Sequence, residues 1–383
     1  MTQPAHTVPG LLPARPRPGR SFAEWRDAVV GSPRFRAWAA RFPLTRPVAR
    51  RRTRALFDLC AGAVYAQVLY ACVQLDLFER LAKGGRTAAE LAPLLDLAPD
   101  RALRLLDAAV SLRLLARRGG RYGLGPLGAA MIDNPAVTAM VRHGALLYAD
   151  LADPIALLRG RSGTTGLAAY WPYAGTDRPE RLTRSEVSAY SELMAASQPL
   201  VASQVLDAYD LRRHRHLLDV GGGDGVFLAE AARRAPELQL TLFDLPAVAA
   251  RAEERLAAAG LAGRARAVGG DMKTVTLPAG ADVITLIRVI HDHDDEGAAT
   301  ILRAVHRALP PGGTLLLGEP MAGTPGAEPV GDAYFAFYLL ALGSGQARSP
   351  AQLATMLRAA GFKHVSPRPT TVPLLASLLV ATS

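Results

Sequence analysis

The sequence predicts an α/β protein, with a mostly parallel sheet covered on both faces and a helical module in front of it that closes in a hairpin. Three observations carry this reading. Short apolar runs alternate with helical stretches through the C-terminal half, at residues 216–220, 238–244, 264–268, 281–290 and 313–318. Uninterrupted runs of this kind fit strands of a parallel sheet buried on both faces. The first run opens into Gly221-Gly222-Gly223-Asp224-Gly225 and then a helical stretch over 226–234, so a strand, a tight loop and a helix start follow one another. Glycine there permits positive φ and close approach of a ligand to the main chain. Finally, polar residues stand where the runs end: Asp219, Asp244, Asp271, His291 and Glu319. In open α/β sheets, ligand groups collect at the carboxyl ends of the strands.

Composition bounds the rest. At 383 residues, two domains are the natural expectation, and half of the residues are hydrophobic, enough for a large core. The net charge of +10 permits an anionic partner without choosing between nucleic acid and lipid. Cys60 and Cys72 fall on one helical stretch and are expected as buried small apolar residues of a cytoplasmic chain, not as a disulfide. No cysteine spacing suits zinc, and no metal is expected. No uncharged apolar stretch of about 20 residues is apparent, so no transmembrane helix is expected. The first residues lack the apolar run of a signal peptide.

Taken in order, residues 1–20 are rich in Pro, Gly and Arg and are expected to be a disordered leader. Residues 21–54 form a basic amphipathic region, with Phe22, Trp25, Phe35, Trp38 and Phe42 among arginines and a dense cluster at Arg46, Arg50, Arg51, Arg52 and Arg54. This region is either a solvated flank or a surface for anionic lipid, where each basic residue adds about 1 kcal/mol. In residues 55–130, a long apolar helix over 56–81 leads to a capping box, Thr87 with Glu90, a second helix over 99–114 and a hairpin turning at Gly119-Gly120. Helix, helix, hairpin is a winged-helix pattern, and with these arginines it would suggest DNA binding on its own. Residues 131–210 are a helical connector that concentrates Tyr148, the run Tyr170-Trp171-Pro172-Tyr173, Tyr190 and Met194; Tyr334, Phe335, Phe337 and Tyr338 add to the aromatic set later. Residues 211–383 hold the sheet, closing with a helix over 349–361 and two last strands at 363–368 and 374–381.

The glycine loop is neither a dinucleotide fingerprint nor a P-loop: no glycine follows three residues on, and no Lys-Ser/Thr follows at all. Asp224 within it is awkward for a pyrophosphate, whereas Asp219 suits a ligand with a cationic end. Asp244 ends the second strand, where an α/β cradle holds a ribose hydroxyl pair.

In combination, Asp219-Val-Gly-Gly-Gly, Phe243-Asp-Leu-Pro, Gly270-Asp-Met, His291-Asp, Ala308-Leu-Pro-Pro-Gly-Gly and the acid at Glu319 resemble the class I S-adenosyl-L-methionine methyltransferases, in particular the small-molecule O-methyltransferases of the plant and acetylserotonin type. The resemblance covers roughly residues 55 to 381. The stretches 41–47 and 55–62 are similar to the bacterial carotenoid-modifying branch of that family.

The resemblance implies a Rossmann-like sheet, a winged-helix module used for dimerisation, and S-adenosyl-L-methionine as cofactor. Cofactor-binding residues would be Asp219, Gly221, Gly222, Gly223, Asp244, Leu245, Gly270, Asp271, Met272 and Arg288. His291 would be the general base and Glu319 the acid that orients it. Tyr148, Trp171, Tyr190, Met194, Phe335 and Tyr338 would line an apolar acceptor pocket. The implied protein is a homodimeric, cytoplasmic O-methyltransferase, in peripheral contact with membrane if the basic region binds lipid, that acts on an apolar hydroxylated small molecule such as an acyclic carotenoid and binds no nucleic acid. Alternatives are an aromatic or polyketide hydroxyl as acceptor, and, in another class, a winged-helix transcription regulator, which leaves the cradle unexplained.

Three departures from the family pattern stand out. The tryptophan expected after His-Asp is His293. The basic residue expected four places before the base is Ile287, with Arg288 displaced by one. Gly345-Gln346-Ala347-Arg348 carries alanine where many relatives have a second acid, which leaves Glu319 as the expected sole partner of His291.

Overall fold

A computed structural model describes residues 21–171, 176 and 178–383. The expected leader over 1–20, and Pro172 and Tyr173 of the aromatic run, lie outside the described residues. The chain divides into two compact units, residues 1–75 with 85–123, and residues 76–84 with 124–383.

The first unit begins with α1 (Phe22–Gly31) and α2 (Pro33–Arg41). Ser32 stands between them, with Pro33 disfavouring helical geometry before it and its own hydroxyl accepting from the Phe35 N–H. The next helix, α3 (Arg46–Gln74), starts earlier than the sequence suggested and takes in the whole arginine cluster. It stops where Asp76 adopts φ 49° and turns the chain into α4 (Leu77–Ala82) of the second unit.

Two expectations bear on α3, and the one for Cys60 fails. By length and composition it is long and apolar enough to cross a membrane, because Asp58 is the one charge between Leu56 and Val73. Its apolar window is only 11% buried, so its own unit leaves that surface largely uncovered. Cys60 lies on the uncovered side and is exposed; Cys72 alone of the two is buried. The unit continues through α5 (Ala88–Leu94), with the Thr87–Glu90 capping box in place, and α6 (Pro99–Ser111). The hairpin of β1 (Leu115–Arg118) and β2 (Arg121–Leu124) turns at Gly119 and Gly120, both at positive φ (54° and 77°), as a two-residue turn that follows the strand twist requires. Leu91, Leu106, Leu115 and Tyr122 are buried here, and the Tyr122 hydroxyl donates to Asp107 at 2.7 Å.

In the second unit, α7 (Pro126–Ala129), α8 (Pro135–Asp150), α9 (Pro154–Leu158), α10 (Gly166–Tyr170) and α11 (Arg184–Ala208) precede the sheet. The strands are β3 (His216–Val220), β4 (Gln239–Asp244), β5 (Ala265–Gly269), β6 (Val283–Ile287), β7 (Thr314–Glu319), β8 (His364–Arg368) and β9 (Ser377–Thr382). Their order is β5-β4-β3-β6-β7-β9-β8; the first five are parallel, and β9 runs antiparallel beside β7. Successive side chains serve opposite faces: Leu217 packs with α11, α12 (Val226–Arg234) and α13 (Pro246–Ala258), Leu218 with α14 (Asp295–Ala308) and α16 (Pro350–Ala359). Burying such a leucine contributes about 1.5–3 kcal/mol. A third cluster joins Leu147, Leu157, Leu167 and Trp171 of the connector to Leu339 and Leu342 of α15 (Phe335–Leu342). The strand order reverses at β3 and β6, which opens a crevice at their carboxyl ends.

Candidate active site

That crevice holds a cavity of about 430 Å³ lined by residues 221–224, 244–245, 271–273, 287–289 and 292–294 from the strand ends, and by Tyr190, Met194 and Gln198 of α11. Every lining residue belongs to the second unit.

The floor is the glycine loop. Gly221 sits at φ 72°, and a Cβ there would come within 2.6 Å of Val289 Cγ2. A Cβ on Gly222 would lie 2.7 Å from Asp219 Oδ2 and 2.8 Å from Leu242, so a side chain cannot fit between the loop and the strand beneath. Asp224 points into a buried ion cluster: Arg251 reaches both of its oxygens, at 3.1 and 3.0 Å, and Arg255 adds a contact at 3.3 Å. Its charge is therefore answered inside the protein.

Two further acids stand at the loop. Asp244 accepts from the Gly223 N–H at 2.8 Å and the Leu245 N–H at 2.7 Å, and burial pushes its carboxyl up to about 6 against those hydrogen bonds. Asp219 accepts from the Thr285 hydroxyl at 2.6 Å through Oδ1, while Oδ2 is buried with no hydrogen-bond partner. Burial first, with the neighbouring Asp244 charge adding, pushes Asp219 up to about 7. Asp219 lies beneath the loop and does not line the cavity. Gly270 is also set back, where its lack of a Cβ admits the Phe243 ring (2.8 Å from an ideal Cβ). Asp271 accepts from the Lys273 N–H at 2.9 Å and lines the wall with Met272.

Arg288 follows β6 at φ 60°, a left-handed conformation uncommon for a residue with a side chain. Its guanidinium lines the cavity and donates to Ser197 Oγ at 2.8 Å and Gln198 Oε1 at 3.5 Å on α11, with Met194 Sδ beside it. None of its hydrogen bonds among the described residues goes to a carboxylate, so its positive charge is available to an anionic group.

His291 lies in a single 3-10 turn, Ile290–Asp292. Its Nδ1 meets Glu319 Oε2, whose other oxygen accepts from the Ile290 N–H at 2.7 Å and the Val289 N–H at 3.2 Å. Nε2 lies 3.2 Å from Asp292 Oδ1, and Phe335 presents an edge to the ring at 5.9 Å. Asp292 is thus a second partner where Glu319 alone was expected; its place next to His291 in the chain was the available signal. Burial works against charging this ring, but Asp292 and Glu319 override it and push the imidazole up to about 10. Neither His291 nor Glu319 lines the cavity: His291 reaches it through Asp292, which does.

The expected acceptor-pocket residues divide. Trp171, Tyr190 and Met194 line the cavity. Tyr148 is 39% exposed and does not. Phe335 packs on His291, and Tyr338 joins an aromatic group with Tyr334 and His143, its hydroxyl 3.0 Å from His143 Nε2. Composition could not separate these, because α15 carries aromatics on more than one face. His293, in the place of the family tryptophan, lines the cavity, and burial lowers its pKa.

The residues present fit S-adenosyl-L-methionine. A glycine loop with no room for side chains, the carboxylate of Asp244 at a strand end and an arginine with no carboxylate partner among the described residues match a ligand that carries ribose hydroxyl and carboxylate groups, and Asp219 beneath the loop adds an acid on the side of its ammonium.

Comparison with known proteins agrees. Residues 148–363 match the O-methyltransferase domain family, and residues 57–134 match the O-methyltransferase dimerisation domain. The chain is 43% identical over 358 residues to demethylspheroidene O-methyltransferase of Cereibacter sphaeroides, covering 92% of this chain and 93% of the relative. The enzyme of the same name from Rhodobacter capsulatus is 42% identical, covering 98% and 93%. Among solved structures, human N-acetylserotonin methyltransferase in complex with S-adenosylmethionine superposes with a TM-score of 0.70 at 24% identity, over 87% of this chain and 97% of that one, a likeness of fold. An O-methyltransferase from neocarzinostatin biosynthesis, solved with S-adenosylmethionine and 2-hydroxy-5-methyl naphthoic acid, gives 0.63 at 29% identity over 83% and 95%. The chain belongs to the O-methyltransferase family, as an S-adenosyl-L-methionine-dependent O-methyltransferase built of a dimerisation domain and a methyltransferase domain.

Proposed function

We propose that the protein methylates a hydroxyl group on an apolar acceptor of the carotenoid class, with His291 as the base. The observation that carries the catalytic part is the imidazole held between Glu319 and Asp292 after β6, one residue behind the cavity wall that Asp292 forms. The acceptor class rests on the two relatives named demethylspheroidene O-methyltransferase and on the apolar side chains Trp171, Tyr190 and Met194 along the cavity.

S-adenosyl-L-methionine, when bound, supplies an electrophilic methyl group. Asp244 would hold the ribose hydroxyls, the loop over Gly221, Gly222 and Gly223 with Leu245, Asp271 and Met272 would shape the bed, Asp219 would lie beneath that loop, and Arg288 would answer the carboxylate. The chain must align the acceptor oxygen and take its proton. An aliphatic hydroxyl is far less acidic than a tyrosine phenol of pKa about 10, so a histidine holds no useful alkoxide in advance. The proton therefore leaves as the oxygen forms its bond to carbon and passes, by way of Asp292 at the cavity wall, to Nε2 of the neutral imidazole, a form whose share grows as pH rises towards about 10. Glu319 on Nδ1 and Asp292 beside Nε2 stabilise the imidazolium that results. Single-turnover methyl transfer to a purified hydroxylated acyclic carotenoid tests this reading; no product from the wild type, or undiminished product from His291→Ala, overturns it.

The dimerisation-domain match and the uncovered apolar surface of α3 support a homodimer in which a second copy covers that surface. Ahead of it, residues 41–54 carry six arginines and no acid, with Leu44 81% exposed. This combination fits peripheral contact of a cytoplasmic enzyme with anionic lipid, the medium in which an apolar acceptor resides.

A further inference from the structure

Four consecutive carbonyls of the turn that carries His291 are capped by one short segment from elsewhere in the chain. The Ile290 carbonyl accepts from Arg348 Nη1 at 3.1 Å. The His291 carbonyl accepts from the Gln346 N–H at 2.8 Å. The Asp292 carbonyl accepts from the Ser344 hydroxyl at 3.0 Å, and the His293 carbonyl from Arg348 Nη2 at 2.9 Å. Gly345, at φ 82°, lies so close that a Cβ would stand 2.1 Å from the His291 oxygen.

Arg348 is the centre of this contact. It is 3% exposed, a rare condition for an arginine, and its burial is matched by a full set of acceptors. Nε and Nη2 both reach Asp295 Oδ1, at 2.9 and 2.8 Å, which fixes the fork against the first turn of α14. Its own carbonyl accepts from the Ala322 N–H at 3.1 Å, just past Glu319. Arg348 thus ties the histidine turn to the strand exit that supplies the partner carboxylate. Ala347 next to it has no acid to offer the ring, so this segment acts on His291 through the main chain alone.

We propose that Ser344–Arg348 is a brace that sets the position of His291, and that Arg348 is its positioning residue. The inference rests on His291 as the base. The planar guanidinium bridges two carbonyls and a carboxylate at once, which a lysine ammonium on a flexible stem cannot reproduce. A base displaced by about 1 Å loses on the order of 10²-fold in rate.

The test uses the full-length enzyme with Arg348→Met, Arg348→Lys and Ser344→Ala. Calorimetry with S-adenosyl-L-methionine reports whether the cradle survives. NMR titration of histidine-labelled protein, with the His291 signal identified by its loss in His291→Asn, reports the environment of the ring without any acceptor. Single-turnover rates with the hydroxylated carotenoid report position. The expected result for Arg348→Met is cofactor affinity within about 3-fold, a His291 titration moved down towards the ordinary histidine range, and a kcat lower by roughly 10²-fold. Arg348→Lys falls between this variant and the wild type, and Ser344→Ala shows the smallest loss. An Arg348→Met enzyme with wild-type titration and rate overturns the brace, as does full recovery in Arg348→Lys. If Arg348→Met no longer binds cofactor, an unchanged titration and rate in both milder variants also overturns it. A moved titration together with an undiminished rate in His291→Ala would sink the base assignment and leave the brace standing.

Discussion

The glycine loop after β3 and the histidine turn after β6 end neighbouring strands, yet they are built on opposite terms. The loop leaves one acid oxygen unmet: Asp219 buries Oδ2 with no hydrogen bond, and burial raises both Asp219 and Asp244, the latter against two backbone N–H bonds. The turn is saturated from within, its imidazole flanked by two carboxylates and its carbonyls capped from Ser344 to Arg348. An unmet buried polar group costs stability, whereas a saturated network fixes geometry in advance. The first arrangement suits a part that binds, the second a part that must stand still.

The largest expected effect breaks the turn. His291→Ala should lose about 10²–10⁴-fold in kcat with cofactor affinity near normal, since the loop does not depend on the ring. Single-turnover rates set beside calorimetry check this, and a parallel loss of both would erase the contrast. Next, Asp244→Ala should cost roughly 2–3 kcal/mol of cofactor binding while saturated turnover holds; an unchanged dissociation constant would remove Asp244 from the cradle.

Stability against pH sharpens the comparison, because both regions lose stability as pH rises but for opposite reasons: His291 loses a favourable charge and Asp219 gains an unfavourable one. His291 is raised to about 10, so its contribution is fully present below the ordinary histidine value and is lost as pH rises through about 10. Asp219 is raised to about 7, so its burial costs stability above that pH, and the cost shrinks as the pH falls towards the ordinary carboxylate value. Asp219→Asn keeps the oxygen that accepts from Thr285 and removes the charge. It should stabilise the ligand-free protein by about 1–3 kcal/mol at pH 8 and by less at pH 5, as chemical denaturation at the two pH values will read. Equal effects at both would place the cost of Asp219 elsewhere.

The smallest effect lies outside both regions. Neutralising Arg50, Arg51, Arg52 and Arg54 should weaken flotation with anionic liposomes by about 1 kcal/mol per arginine, and added salt should mimic it. A wild-type enzyme that never floats at low salt rules out the lipid contact.

Local patterns were legible where the cause was local. The strand, loop and helix at 216–234 follow from apolar runs and glycines, and the hairpin at Gly119-Gly120 from paired positive φ. The break after Gln74 was not, because Asp76 taking φ 49° leaves no mark in composition. Nor was the division of the aromatics: Tyr190 and Met194 reach the cavity while Tyr338 turns to His143, a matter of which helix face meets which neighbour.

By itself, then, the sequence determined the family, the cofactor, the order of strands and helices, and the acids and histidine at the strand ends. The order of elements depends on period, turn chemistry and short spacings along the chain, whereas the family and cofactor came from the resemblance of the motifs. The tertiary structure decided that Asp292 is a second partner of His291, that Arg251 and Arg255 answer Asp224, and that Arg348 caps the histidine turn across more than fifty residues of chain. Such pairings are set by how strands and helices stack in space, and separation along the chain carries no record of them.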